Sequence, residues 1–227
     1  MDLSTPTTAT ALLANLRESI IDGGLPAGAH LPELELARRH GVARSTVREA
    51  ITGLVNRGLV VRRHNAGARV CIPSRGELRN LYELRECLEG MVCRLAAQTM
   101  SDRAIEGIRA LLSDHENSAA LREGTAYIQG EHDLDFHSRL AAGSGNAMLE
   151  RQLDGQLYDK LRLYRRQFGM VGPRARPAWN EHQQIVDAIA DRDPEMAEML
   201  MRRHIRASLK NIEQRMAATE SPAEETS

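Results

Sequence analysis

ELELARRHGVARSTVREAITGLVNRGLVVRRHNAGARVCI, residues 33–72, decides how the chain is read. Two short helices around a tight turn, followed by a two-stranded wing, account for its pattern. Val47, Ala50, Ile51, Leu54 and Val55 recur at i, i+3, i+4, i+7 and i+8, the apolar stripe of a helix that buries one face. Arg44, Ser45, Arg48 and Thr52 fall off that stripe. A helix that buries one face and offers small polar groups and arginines on the other is what a DNA major groove accepts. Gly41 suits the left-handed turn between the two helices, Ser45 reads as the N-cap of the second, and Gly58 ends it. Leu59 to Arg63 and Ala68 to Ile72 read as the strands of a hairpin around His64-Asn65-Ala66-Gly67.

Upstream, Leu12, Leu13, Leu16, Ile20 and Ile21 mark a helix stopped by Asp22-Gly23-Gly24. Downstream, Pro73-Ser74-Arg75-Gly76 is the natural boundary, and everything after it reads as helix. The expected helices are a long one through Leu78 and Leu95, one from Ser101 to about Ala120, Tyr127 to Ala142, Ala147 to Gly169, Pro177 to Asp191, and a last one opened by Asp193-Pro194. The organisation expected is a disordered arm over 1–8, a winged helix-turn-helix DNA-binding domain over 9–73, a linker over 74–76, a helical metal- and effector-binding domain over 77–218, and a disordered acidic tail over 219–227. The fold class is mainly α: an N-terminal winged helix-turn-helix with a small β-hairpin wing, plus a C-terminal all-α antiparallel helical bundle.

Composition sharpens this. Aromatic residues are only 3% of the 227, so the core is built from Leu, Ala, Val, Ile and Met. Residues 1–75 hold ten arginines and six acidic residues, a net +4, whereas residues 76–227 hold twenty basic and twenty-five acidic ones, a net −5. A basic head on an acidic body fits a nucleic-acid module joined to something else. Cys71, Cys87 and Cys93 are odd in number and form no CxxC pair, which argues against a disulfide framework or a thiolate zinc site. No signal peptide is visible, and no apolar run approaches the ~20 residues that span a bilayer, so a cytoplasmic protein with no membrane partner is expected.

The segment GVARSTVREAI, with Gly28, Leu31, Leu36-Ala37, Gly58-Leu59 and Gly67, resembles the GntR family of bacterial winged-helix transcription regulators. The body carries Tyr82-Glu83-Leu84-Arg85 with Leu88-Glu89, Asp133-x-x-Phe136-His137, Gly145-Asn146, Glu181-His182 and His204, and resembles the helical FCD ligand-binding domain of the FadR/VanR type. The resemblance implies that Arg44 and Arg48 are the main groove and phosphate contacts, that Ser45 and Thr46 assist, and that His64, with Gly67 beside it, contacts DNA from the wing. Arg44 stands at a helix N-terminus, which favours phosphate, and Arg48 can offer two donors to a guanine edge. Two departures from the family pattern, Leu34 where a polar group is common and Asn65-Ala66 at the wing turn, remove backbone contacts. Each lost contact flattens the salt dependence of binding by roughly one unit.

Asp133 and His137 are four apart and share a helix face, while His182 and His204 lie on two later helices. In the resembling domain the positions matching all four hold a divalent metal. Zinc is the first choice, with nickel and manganese as alternatives, and an octahedral ion keeps two positions for water or a carboxylate. Arg85 would clamp that carboxylate, or else pair with Glu89 one turn on. His115 and His132 match no ligand position and are expected in solvent or in the pocket wall. Asn146 reads as a helix cap, and Trp179 as a pocket lid or a packing residue. The function expected is a homodimeric, ligand-responsive repressor, not an enzyme, that reads a near-palindromic operator in double-stranded DNA and answers to a small organic acid. Two alternatives remain: a direct metal sensor, and a metal-dependent hydrolase with Glu181 or Glu131 as base.

Overall fold

Thr8 opens the first helix by accepting a hydrogen bond from the Ala11 amide, and α1 (Ala9–Ile21) follows. The computed structural model describes residues 8–63, 67–127, 135–168 and 174–220. They form two compact units. One gathers the chain up to Pro73 together with Asp159–Arg166, and the other holds the remainder.

In the first unit, α2 (Glu33–His40) ends at Gly41, whose φ of 63° puts it in the left-handed region that glycine enters without a Cβ clash. The chain reverses there, and α3 (Arg44–Asn56) follows. Ser45 is not its cap. Ala43 holds that position in an extended conformation with no side-chain bond, and its carbonyl already accepts from the Val47 amide. The helix therefore starts two residues earlier than a capping preference suggests, and Ser45 lies in its first turn, exposed. β1 (Val60–Arg63) pairs antiparallel with β2 (Gly67–Val70), Val60 opposite Val70 and Arg63 opposite Gly67. The second strand is shorter than the sequence suggests. The Cys71 amide still reaches the Leu59 carbonyl, but Ile72 is exposed and unladdered.

The apolar stripe of α3 is buried as its spacing demands. Val47, Ala50, Ile51 and Leu54 face Leu12, Leu16 and Ile20 of α1 and Leu36 of α2, each large side chain contributing about 1.5–3 kcal/mol. The crossing of α1 over α3 is close at Gly53, where an added Cβ would stand 1.9 Å from the Leu13 Cδ1. Leu163 joins this core. Asp159, fully buried, accepts from Arg17 at 2.7 Å and from Arg57 at 2.8 Å.

The second unit is all helix: α4 (Arg75–Thr99), α5 (Asp102–Glu116), α6 (Ala119–Arg122), α7 (Asp135–Gly143), α8 (Ala147–Gln152), a π-helical turn over Leu153–Leu157, the start of α9 (Tyr158–Phe168), α10 (Ala175–Ala190) and α11 (Pro194–Glu220). The pairs Arg79–Glu213, Arg206–Glu86 and Arg94–Glu198 set α4 and α11 antiparallel. Ser74, Ser101, Ser118, Asn146 and Asp193 each accept from an amide in the first turn of the helix they open.

Four readings change. Residues 74–76 are not a free linker, because Ser74 caps α4 and Arg75-Gly76 form its first turn. The helix expected from Ser101 to Ala120 breaks at Asn117, and Ser118 caps a separate short helix. The span from Ala147 is interrupted at Gly155, whose ψ of −120° is not helical. Thr219 and Glu220 continue α11 where a tail was expected, and Thr8 is a cap rather than part of an arm. The rest of the arm and tail, residues 1–7 and 221–227, lies outside the described residues. Among the described residues no helix is long and apolar enough to cross a membrane.

Candidate metal centre and nucleic-acid interface

Three helices of the second unit each bring one histidine to a common point: His137 from α7, His182 from α10 and His204 from α11. All three are buried, and one ligand atom from each lies within 4.8 Å of the others. The Nε2 atoms of His182 and His204 are 3.2 Å apart. Two imidazole nitrogens, each about 2.0–2.1 Å from one tetrahedral zinc, stand roughly 3.3 Å apart, so the spacing fits a shared ion. Phe136 stacks on the His182 ring at a centroid distance of 3.9 Å and closes one side. Asp133, expected as the fourth ligand, lies outside the described residues, as do His132 and Glu131.

Each ring is also held from behind. His137 Nδ1 lies 2.6 Å from Glu89, His182 Nδ1 lies 2.8 Å from the Tyr127 hydroxyl, and His204 Nδ1 lies 2.7 Å from Glu181. A carboxylate only accepts, so the Nδ1 atoms of His137 and His204 carry their protons and their Nε2 atoms carry lone pairs. The Tyr127 hydroxyl can donate or accept. It therefore allows His182 either to donate from Nε2 to His204, or to turn its own Nε2 lone pair toward an ion. Outer partners of this kind fix ring orientation and ligand basicity. Burial pushes His204 down to about 3, against the opposing pull of Glu181. Burial alone would raise the Glu89 carboxyl, but Arg85 and His137 outweigh it and hold it at about 2. The carboxyl of Glu181 is likewise lowered despite its burial, by hydrogen bonds from His204 and Arg174.

Arg85 is fully buried on α4. It pairs with Glu89 at i+4, and its Nη2 lies 3.2 Å from Nε2 and 3.4 Å from Nδ1 of the His137 ring. Its Nη1 is buried with no hydrogen-bond partner. His115 is buried rather than in solvent, its Nδ1 3.3 Å from the Tyr127 hydroxyl. Trp179 packs with Leu121 and Tyr127 and donates to the Leu112 carbonyl at 2.9 Å, so it is a packing residue. Glu89 was expected only as an ion-pair partner of Arg85, and it also holds the His137 ring. Glu181 was available as a hydrolytic base and instead anchors the next helix's histidine. Nothing in the sequence spacing points to Tyr127, which lies 55 positions from its partner.

The reading face in the first unit is built differently. Arg44 and Ser45 are exposed and Thr46 half-exposed, all in the uncapped first turn of α3. Arg48, one turn on, leans to Glu33 of α2 at 3.3 Å. The Thr52 hydroxyl donates to the Arg48 carbonyl, and Arg62 from β1 donates to both at 3.2 and 3.3 Å. Arg62 is the residue that sequence reading missed; its only signal was basic character opposite the wing turn. Gly67 is exposed at the start of β2, and an added Cβ there would stand 2.7 Å from His30 Nε2. His64, Asn65 and Ala66 lie outside the described residues.

Residues 8–70 match the family described as bacterial regulatory proteins, gntR family, and residues 80–207 match the FCD domain. The chain is 31% identical over 211 residues to the HTH-type transcriptional regulator BphR of Paraburkholderia xenovorans, covering 90% of this chain and 84% of that protein. It is 28% identical over 206 residues to a D-xylose utilization operon transcriptional repressor of Paenarthrobacter nicotinovorans, covering 89% of each. The fold is shared with McbR/YncC of E. coli, with a TM-score of 0.73 at 17% identity, over 92% of this chain and 98% of that one.

Proposed function

We infer the function from one premise: the chain belongs to the gntR family of bacterial regulatory proteins and carries an FCD domain as its body. It is a transcription regulator of that family, not an enzyme, and the hydrolase alternative falls with that assignment. We propose that α3 reads an operator through Arg44, Ser45, Thr46 and Arg48, with His64 and Gly67 contacting DNA from the wing. We propose further that the body holds a divalent ion on His137, His182 and His204, with Asp133 as a fourth ligand and zinc ahead of nickel or manganese. When bound, that ion supplies a Lewis-acidic contact for a small carboxylate. Arg85 would orient the same carboxylate through its spare donor. Two copies would pair so that two heads read the halves of a near-palindrome.

The observation that carries this reading is the convergence of three buried imidazoles, one ring nitrogen of each within 4.8 Å of the others and each ring held at Nδ1, beside a buried guanidinium nitrogen with no hydrogen-bond partner among the described residues. Solvated surface histidines do not arrange themselves in this way. Footprinting of the chain's own upstream DNA, with and without chelator and with and without small carboxylic acids, tests it. A protected near-palindrome whose affinity changes with the acid is expected. A footprint that follows metal concentration alone would instead favour direct metal sensing, and no protection under any condition would overturn operator reading.

A further inference from the structure

Glu33, Arg48 and Arg62 come from three different elements of the head, α2, α3 and β1, and meet on its surface. Each oxygen of the Glu33 carboxylate faces one arginine. Oε2 accepts from Arg48 Nε at 3.4 Å and Nη2 at 3.3 Å, and Oε1 lies 4.0 Å from Arg62 Nη2. Arg62 is held in place by other means. Its Nη2 donates to the Arg48 carbonyl at 3.2 Å and to the Thr52 hydroxyl oxygen at 3.3 Å, and that hydroxyl donates to the same carbonyl at 2.8 Å. Both acceptors are neutral, so they fix the guanidinium beside α3 without consuming its charge. The Arg48 side chain, among the described residues, has only its long, exposed contacts to Glu33, a pair of the kind that contributes little. A carboxylate is a liability on a face that meets a polyanion. When Arg48 turns its donors to DNA, Glu33 becomes an uncompensated negative charge beside phosphates unless a second cation stays with it.

We propose that Arg62 is a positioning residue for the groove contact of Arg48: it keeps the Glu33 carboxylate when Arg48 leaves that carboxylate for DNA. The 4.0 Å approach of Arg62 is the resting stage of an exchange in which one carboxylate passes from the arginine of α3 to the arginine of the wing. After the exchange the Glu33–Arg62 pair is neutral in sum, and Arg48 carries its full charge to the DNA. The tether to Thr52 and the Arg48 carbonyl keeps Arg62 within reach while Arg48 swings. This rests on the operator reading above and adds what frees Arg48.

The experiment is a double-mutant cycle, read by gel shift of the full chain on a duplex carrying its own upstream DNA. Arg62→Ala should weaken binding about five- to tenfold, and Glu33→Gln alone should tighten it by at most about fivefold. In the Glu33→Gln background Arg62→Ala should cost less than about twofold, because no carboxylate is left to hold. Arg62→Lys keeps the charge and should bind within about threefold of the unaltered chain. Thermal melting checks that each variant folds, and Arg62→Gln replaces the alanine variant if the wing does not tolerate it. An Arg62→Ala loss equal in both backgrounds gives Arg62 a DNA contact of its own and overturns the exchange. Binding unchanged by Arg62→Ala overturns it too, as does Arg62→Lys losing as much as alanine. Weaker binding by Glu33→Gln also overturns it, since the carboxylate would then aim Arg48. A duplex that the unaltered chain does not bind is a different result: it removes the operator reading and the exchange together.

Discussion

The polar residues of the two units are held in opposite ways. Around the histidines of the body every functional ring is buried and braced by a partner from another element: Glu89 from α4, Tyr127 from the chain before α7, Glu181 from α10. On the candidate reading face of the head, Arg44 is exposed, and among the described residues Arg48 pairs with Glu33, 59% and 26% accessible. The difference fits the partner proposed for each surface. A small ion must be met by groups already aimed, because it supplies few contacts to repay ordering. DNA brings many charges and can displace weak surface pairs, so loosely engaged arginines would suit the proposed contact.

The contrast breaks most visibly if one charge of the buried pair is removed. Glu89→Ala leaves the Arg85 guanidinium uncompensated, and chemical denaturation should show a loss of about 3–5 kcal/mol. A loss near zero would mean that the pair is not as enclosed as the structure has it. Asp159→Ala should cost the head about 1.5–3 kcal/mol, since two charged hydrogen bonds end on a carboxylate with no exposure, although its partners Arg17 and Arg57 keep some access to water. Tyr127→Phe preserves the packing and removes the hydroxyl that braces His182 and also meets His115. Metal affinity should fall about 10- to 100-fold with little change in melting temperature. If affinity is unchanged, the bracing of that ring is incidental.

On the head the expectation reverses: large effects on DNA and small ones on stability. Arg48→Ala should weaken operator binding by about 1–3 kcal/mol if it contacts a base, while folding stability stays within about 0.5 kcal/mol. A gel-shift series across salt concentrations separates base reading from phosphate contact, which would lower the salt slope by about one unit. The smallest effect is Glu33→Gln. Freeing Arg48 from a surface pair should tighten DNA binding by at most about 1 kcal/mol, and weaker binding would show that Glu33 positions Arg48 rather than restraining it.

Much of the head is legible in the sequence because its signals are local. The stripe from Val47 to Leu54, the left-handed turn at Gly41 and the hairpin need only neighbours within a few positions to declare themselves. The cap of α3 misleads because a hydroxyl preference at Ser45 competes with the geometry of the Gly41 turn, which has already started the helix after Ala43. In the body, His137, His182 and His204 stand out by residue type and spacing, yet what braces them does not. Glu89 and Tyr127 reach their partners across 48 and 55 positions, and only the packing of α4, α7 and α10 brings them together. The break at Ser118 and the kink at Gly155 were hidden for a related reason: helical periodicity runs through both, and only the backbone shows where it stops.

The bracing at Nδ1 also bears on engineering. A designer who grafts this centre into another helical bundle by copying the three histidines alone would transfer rings free to spin and to swap tautomers. The transferable unit is six side chains in three couples, Glu89 with His137, Tyr127 with His182, and Glu181 with His204, and a host scaffold qualifies only if it can place both members of each couple.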